Sequence, residues 1–168
     1  ITGILEEEAK EINLGFIARM TLSRPYIYSK IATSLDGSTS LISGESQWIS
    51  SEDSRKDVQI WREKSCAILT GVGTVNYDNP NLTVRNIPAQ QQPLRVILDS
   101  NLTIDLNSKI LSQENVLLVY GDDPKNKLQL LVDSKVRTLH LPLKNKKINL
   151  HKLMEYLATI EINNLWVE

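Results

Sequence analysis

Four short apolar runs decide what this chain can fold into: CAILTG (Cys66 to Gly71), LRVILD (Leu94 to Asp99), NVLLVYG (Asn115 to Gly121) and VRTLHL (Val136 to Leu141). None alternates apolar with polar residues as a strand with one wet face does. Each therefore needs cover on both sides, the mark of parallel strands inside an α/β layered domain. Segments with helical character separate them. One is capped at Ser50 or Ser51, with Asp53 placed as in a capping box. It carries Val58 and Trp61 one turn apart on its inner face and ends near Lys64. A short helix or turn follows GVGTV and closes at the turn Asp78 to Pro80. Further helices are expected from Pro124 to Val132 and from Leu150 to Ile160, and LWVE (Leu165 to Glu168) begins another strand. The alternation predicts an α/β domain with a largely parallel central sheet flanked by helices.

Ahead of this core, Leu5, Ala9, Ile12, Phe16 and Ile17 recur at three- and four-residue steps. An amphipathic helix from Ile4 to Arg19 is expected, with the EEEAKE head as a solvated face. After Arg24-Pro25, YIYSKIA alternates in strand fashion, SLDG (Ser34 to Gly37) reads as a turn and STSLIS resumes extended, so a strand pair is expected there. The QQQP run (Gln90 to Pro93) reads as loop.

Composition narrows the function. A chain of 168 residues, 41% apolar and 23% charged, fits one globular domain and not a disordered segment. The net charge of −1 gives no basic face for nucleic acid. No apolar run approaches the roughly 20 residues of a membrane span, and the acidic start (Glu6, Glu7, Glu8) is unlike a signal peptide. Cys66 is the only cysteine, so no internal disulfide can form and a cytosolic protein is expected. Cys66, His140 and His151 lack metal-ligand spacing and offer little for nucleophilic catalysis, so no metal site is expected. The chain opens on Ile1 and stops straight after a strand-like run, and a fragment of a longer protein is the expectation.

The chemistry-bearing side chains concentrate between Lys30 and Arg85. Gly71 and Gly73, directly after an apolar strand, either let a ligand approach the backbone or simply turn the chain. Arg55, Arg62 and Arg85 are anion holders by type. Arg55 and Arg62 share roughly one helix face, where surface pairing with Glu52, Asp57 or Glu63 is the plainer reading. Asp36 and Asp78 read first as turn residues. Trp48, among small polar neighbours, is either a plate for an aromatic ligand or a core residue, whereas Trp61 and Cys66 read as core. Lys30 lies inside an apolar run, so its ammonium has to reach a carboxylate or a polar cavity.

The run from Arg24 to Arg85, with SLDG, GESQWIS, the RKDVQIWR helix and AILTGVGTVNYDNPNLTVR, is followed in order by RVILDS and WVE. Across almost the whole chain it resembles the reductase domain of the bifunctional riboflavin biosynthesis proteins. The resemblance implies a dihydrofolate-reductase-like α/β fold. Residues 25–168 would form the reductase domain, cut short before a glycine-rich cofactor loop, and residues 1–24 a lead-in helix or linker from an absent upstream deaminase domain. It implies NADPH as cofactor, a phosphorylated pyrimidine as substrate and a homodimer. The reaction would reduce the ribosyl side chain of 5-amino-6-(5-phosphoribosylamino)uracil to the ribityl form. By the same resemblance Ala32, Trp48, Thr74, Asp78 and Ser100 meet the cofactor, and Ser46, Arg62, Leu82, Arg85 and Glu168 meet the substrate. Lys30 lies beside the ribose, and Lys30 and Glu168 are the catalytic pair. Two other readings stay open. One is a related pteridine or dihydrofolate-type reductase with an unphosphorylated substrate, against which Arg62 and Arg85 argue. The other is a truncated, non-catalytic module that keeps the fold to dimerise or bind ligand.

Overall fold

The computed structural model describes residues 3–46 and 48–168, so Gln47 of the GESQWIS element lies outside the described residues. Counted along the chain, the strands are β1 (Tyr26–Ser29), β2 (Ala67–Gly71), β3 (Leu94–Asp99), β4 (Val116–Tyr120), β5 (Arg137–His140), β6 (Leu143–Lys144), β7 (Lys147–Ile148) and β8 (Asn164–Val167). Six of them form one sheet in the order β1-β8-β2-β3-β4-β5, with every neighbouring pair parallel. The unbroken apolar runs explain this arrangement, because successive residues of β2, β3 and β4 fill two separate cores. Ala67, Leu69, Val96 and Val119 pack with Leu153 and Leu157 of α6 (Leu150–Thr159). Ile68, Ile97 and Leu118 face the other way. They lie under Trp61 of α3 (Glu52–Glu63), Val75 of α4 (Val72–Asp78) and Leu131 of α5 (Leu128–Asp133).

Several expectations are corrected. Among the described residues no strand pair forms around SLDG: residues 30–46 and 48–51 carry neither helix nor strand, and β1 pairs with β8 from Tyr26↔Asn164 to Ser29↔Val167. The lead-in is two helices, α1 (Glu6–Ile12) and α2 (Leu14–Leu22), broken at Asn13. The expected apolar stripe is inverted there, since Leu5, Ile12 and Phe16 are exposed and the buried positions are Gly15 and Ala18. Small residues are buried because α2 approaches Asn163 and Asn164 at the start of β8 with no room for a side chain. Ser51, not Ser50, caps α3, its hydroxyl accepting the Ser54 N–H, so Asp53 takes no part in a capping box. The helix expected from Pro124 begins only at Leu128, where the Asp123 carboxylate accepts the Lys127 and Leu128 amides at 2.8 Å each. β5 is an edge strand and only half-buried. The antiparallel hairpin β6-β7 was not foreseen: its turn, Asn145-Lys146, has φ of 53° and 61°, and a Lys in the left-handed region carries no sequence signal of the Asn-Gly kind.

Gly15 gives a clear test of the α2 contact. In a free helix alanine gains about 1 kcal/mol over glycine. Here an added Cβ would strike the Asn164 side-chain oxygen and come within 2.8 Å of the Asn163 carbonyl. Overpacking against backbone costs about 1–3 kcal/mol, which outweighs the propensity gain. Gly15→Ala is therefore expected to lower the thermal midpoint. Gly121→Ala, whose Cβ has the Leu143 side chain as its nearest neighbour and not backbone, is expected to cost less. A raised midpoint for Gly15→Ala would contradict the packing argument.

Candidate functional site

The insertion of β8 between β1 and β2 builds the site. Ser29 and Leu69 both align with Val167. One residue further on, Lys30 N–H donates to the Val167 carbonyl at 2.9 Å and Glu168 N–H to the Leu69 carbonyl at 3.1 Å. Lys30, Glu168 and Thr70 thus stand in a row at the carboxyl ends of three parallel strands, on the face that carries Tyr28, Trp166 and Ile68. The carboxyl end of a parallel sheet, where strand order reverses, is where α/β folds hold ligands.

Arg62 ties this row to the rest of the molecule. From the last turn of α3 its Nε donates to Glu168 Oε1 at 2.7 Å and its Nη1 to the Thr83 carbonyl at 3.1 Å, with side-chain exposures of only 9% and 11% for the ion pair. The surface pairing considered from sequence is replaced by this buried contact. Thr83 belongs to the loop after α4, where Leu82 is buried at φ 51° and Val84 is clamped on both its amide and carbonyl by the Gln92 side chain. Arg85 follows, its amide donating to Gln59 Oε1 at 2.9 Å and its side chain exposed. Arg62, Leu82, Arg85 and Glu168 therefore meet at one junction of α3, β8 and this loop.

Beside it lies an open cleft of about 580 Å³ between residues 30–33 and α3, walled by Lys30, Ala32, Asp53, Asp57, Trp61 and Trp166. Lys30 sits just beyond β1 and not within it, and its half-buried side chain lines the cleft, so the polar-cavity alternative holds. Trp61 stacks on Trp166 with centroids 5.6 Å apart and planes at 14°, while its Nε1 donates to Asp57 Oδ2 at 3.1 Å. It belongs to the core on one side and to the cleft on the other.

The remaining positions gather at the ends of β2 and β3. Thr74 and Asp78 are exposed on α4, which leaves β2 directly through Gly71. Ideal Cβ atoms at Gly71 and Gly73 would meet nothing within 4 Å, so space is open there. Ser100, half-buried after β3, takes the Gly121 and Asp122 amides on its carbonyl. Asn76 bridges α4 to the loop after β3, accepting the Asp105 amide at 3.1 Å and donating to the Thr103 carbonyl at 3.3 Å. Tyr77 Oη donates to the Gly44 carbonyl at 3.3 Å, which draws the loop bearing Ser46 and Trp48 toward α4. Trp48 is exposed, not core, and one face of its ring is covered by Arg55.

Asp36 makes the expected turn, accepting from the Ser34 hydroxyl and from the Ser38 amide and hydroxyl. The Ser34 hydroxyl foremost, with Ser38, holds its carboxyl below the ordinary carboxylate range. The turn's contribution to stability is thus complete above the ordinary carboxylate pKa and lost only as pH falls through the lowered one. Three features went unseen in the sequence. Asp99, 1% exposed, shapes the loop after β3 by accepting the Thr103 and Ile104 amides and the Thr103 hydroxyl. Thr70 and Trp166 bring polar atoms, Oγ1 and Nε1, that are buried without a partner among the described residues. Arg95, 2% exposed in β3, holds the Pro93 and Glu114 carbonyls, and burial lowers its pKa. For Asp99, Thr70 and Arg95 the only hint was a charged or hydroxylic residue in an otherwise apolar run; Trp166 gave none.

Comparison with known proteins fixes the family. The RibD C-terminal domain model matches residues 25–168. "Riboflavin biosynthesis protein RibD" of Aquifex aeolicus is 40% identical over 167 residues, 99% of this chain and 46% of that protein. The Acinetobacter baumannii RibD structure superposes with a TM-score of 0.84 at 36% identity, over 99% of this chain and 46% of its own. A Thermotoga maritima structure, described as a diaminohydroxyphosphoribosylaminopyrimidine deaminase/5-amino-6-(5-phosphoribosylamino)uracil reductase, gives 0.79 at 30% identity, over 99% and 45%. This chain spans about half the length of the curated relatives it matches. The parallel sheet, its flanking helices and the match over residues 25–168 place this chain in the RibD C-terminal domain family, the dihydrofolate-reductase-like reductase domains of riboflavin biosynthesis.

Proposed function

We propose that this chain carries the reductase half of a bifunctional protein and reduces the ribosyl side chain of 5-amino-6-(5-phosphoribosylamino)uracil to the ribityl form with NADPH. The observation that carries this reading is the family match over residues 25–168, because it spans every element that converges on the cleft. In the same reading residues 1–24 are the lead-in from an upstream deaminase domain, the reductase domain continues past Glu168, and the protein works as a homodimer.

The donor set fits a dinucleotide. The Thr74 and Ser100 hydroxyls and the Asp78 carboxylate suit sugar and amide groups, the Trp48 indole suits a flat ring, and the open space before Gly71 and Gly73 admits a ligand close to the backbone. Bound NADPH would supply the hydride. Lys30 would hold the sugar from the cleft wall, with Ala32 beside it. The exposed Arg85 is the freer guanidinium for the substrate phosphate, since Arg62 is already committed to Glu168 and Thr83. Glu168, fixed in direction by Arg62, would accept from a sugar hydroxyl, with Ser46 and Leu82 closing the substrate side. The work left to the protein is orientation and exclusion of water, so no nucleophile is called for.

NADPH titrated calorimetrically into this chain, with NADH as control, is expected to bind saturably and selectively. Asp78→Ala should weaken it about ten-fold or more, the worth of one charge-assisted hydrogen bond. Binding restored only in a chain extended past Glu168 would favour the truncated-module reading. Binding by neither would sink the reductase assignment.

A further inference from the structure

We propose that Arg55 is a positioning residue: it holds the Trp48 indole as a fixed plate at the rim of the cleft, one face closed and the other open to a flat ligand ring. The identity of that ring, the NADPH base or nicotinamide, rests on the reductase reading; the positioning does not.

Trp48 lies in the irregular segment between β1 and α3, where neither helix nor strand restrains a side chain. A large aromatic in such a place normally samples several rotamers, and ordering it costs free energy at the moment of binding. Here the Arg55 guanidinium sits over the ring, 4.4 Å from its centroid, and Arg55 Nη1 donates to the Ser50 carbonyl at 2.7 Å. The planar cation thus grips both the indole and the backbone two residues beyond it. The grip has a firm base, because Arg55 is in the first turn of α3, its own amide donates to the Ser51 carbonyl at 3.1 Å, and that helix is capped by Ser51. Ile49, Ser50 and Asp53 line the cleft, so the plate stands at its edge. Trp48 remains 70% exposed, so Arg55 covers only part of its surface.

The test uses Arg55→Ala, Arg55→Lys, Trp48→Leu and the Arg55→Ala/Trp48→Leu double variant, each checked for native circular dichroism. In the ligand-free protein the fluorescence of Trp48 is isolated by difference from Trp48→Leu. Trp48 is already 70% exposed, so uncovering the second ring face in Arg55→Ala should make it more accessible to acrylamide by at most about 1.4-fold. Calorimetry with NADPH should then show affinity about three- to five-fold weaker in Arg55→Ala. Arg55→Lys should restore only part, and Arg55→Ala should cost nothing further once Trp48 is leucine. Unchanged quenching would overturn the proposal, and so would additive losses in the double variant. If neither the unsubstituted chain nor one extended past Glu168 bound NADPH, the reductase reading would fall, while the quenching arm would still decide whether Arg55 holds Trp48.

Discussion

Arg62→Ala is expected to destabilise this domain by about 3–5 kcal/mol, the usual result of removing one partner of a buried ion pair. The expectation comes from what would be left behind. Glu168 would keep a carboxylate that is 11% exposed with its nearest cation gone, and the Thr83 carbonyl would lose its donor as well. The loss should appear in urea unfolding at unchanged slope and as a fall of about 10 °C in thermal midpoint for a domain of this size. Glu168→Gln should cost less, because an amide oxygen can still accept from Arg62 Nε. In the proposed reductase, activity should fall as well, since Arg62 is what fixes the direction of Glu168. A loss below about 1 kcal/mol for Arg62→Ala would mean that the pair is wetter than its geometry indicates.

Trp166→Ala is the second large effect, at about 3–5 kcal/mol. Trp166 is 6% exposed in β8, between β1 and β2, and its ring stacks on Trp61. Truncation would leave a void under α3 and release Trp61, which lines the cleft with it. Trp166→Phe separates shape from polarity. It keeps an aromatic plate but removes an Nε1–H that is buried without a partner among the described residues, so part of the lost contact is offset by a removed desolvation penalty. Phe should therefore cost well under half of what Ala does. Equal losses for the two would show that the indole N–H is satisfied after all.

The sheet was legible because burial on both faces leaves a coarse mark. LRVILD became β3 without change, and the runs around β2 and β4 lost only end residues. What misled was local pattern without tertiary context. YIYSKIA alternates whether its partner is the next segment or one far along the chain, and although LWVE read as a strand, no spacing rule announces that it lies beside β1. In the lead-in, periodicity pointed at Phe16 and Ile12, yet the requirement of close approach selected Gly15 and Ala18. The site was legible by residue type and not by pairing. Lys30 stood out as a costly charge and Arg62 as an anion holder by type, but that Arg62 meets Glu168, 106 residues away, depends on strand order alone. Asp99 and Thr70 were hidden inside runs whose apolar neighbours carried the signal.

The place of β8 also sets when the site can exist. β2 to β5 follow one another along the chain and pair as neighbours, whereas β1 has only β8 beside it. Joining Tyr26 to Asn164 closes a loop of about 140 residues, a small extra entropic cost but a kinetically remote contact. Lys30 and Thr70 come together only through that last pairing. A ligand touching both would bind the completed sheet and none of its precursors, so it would stabilise by mass action the step that finishes folding.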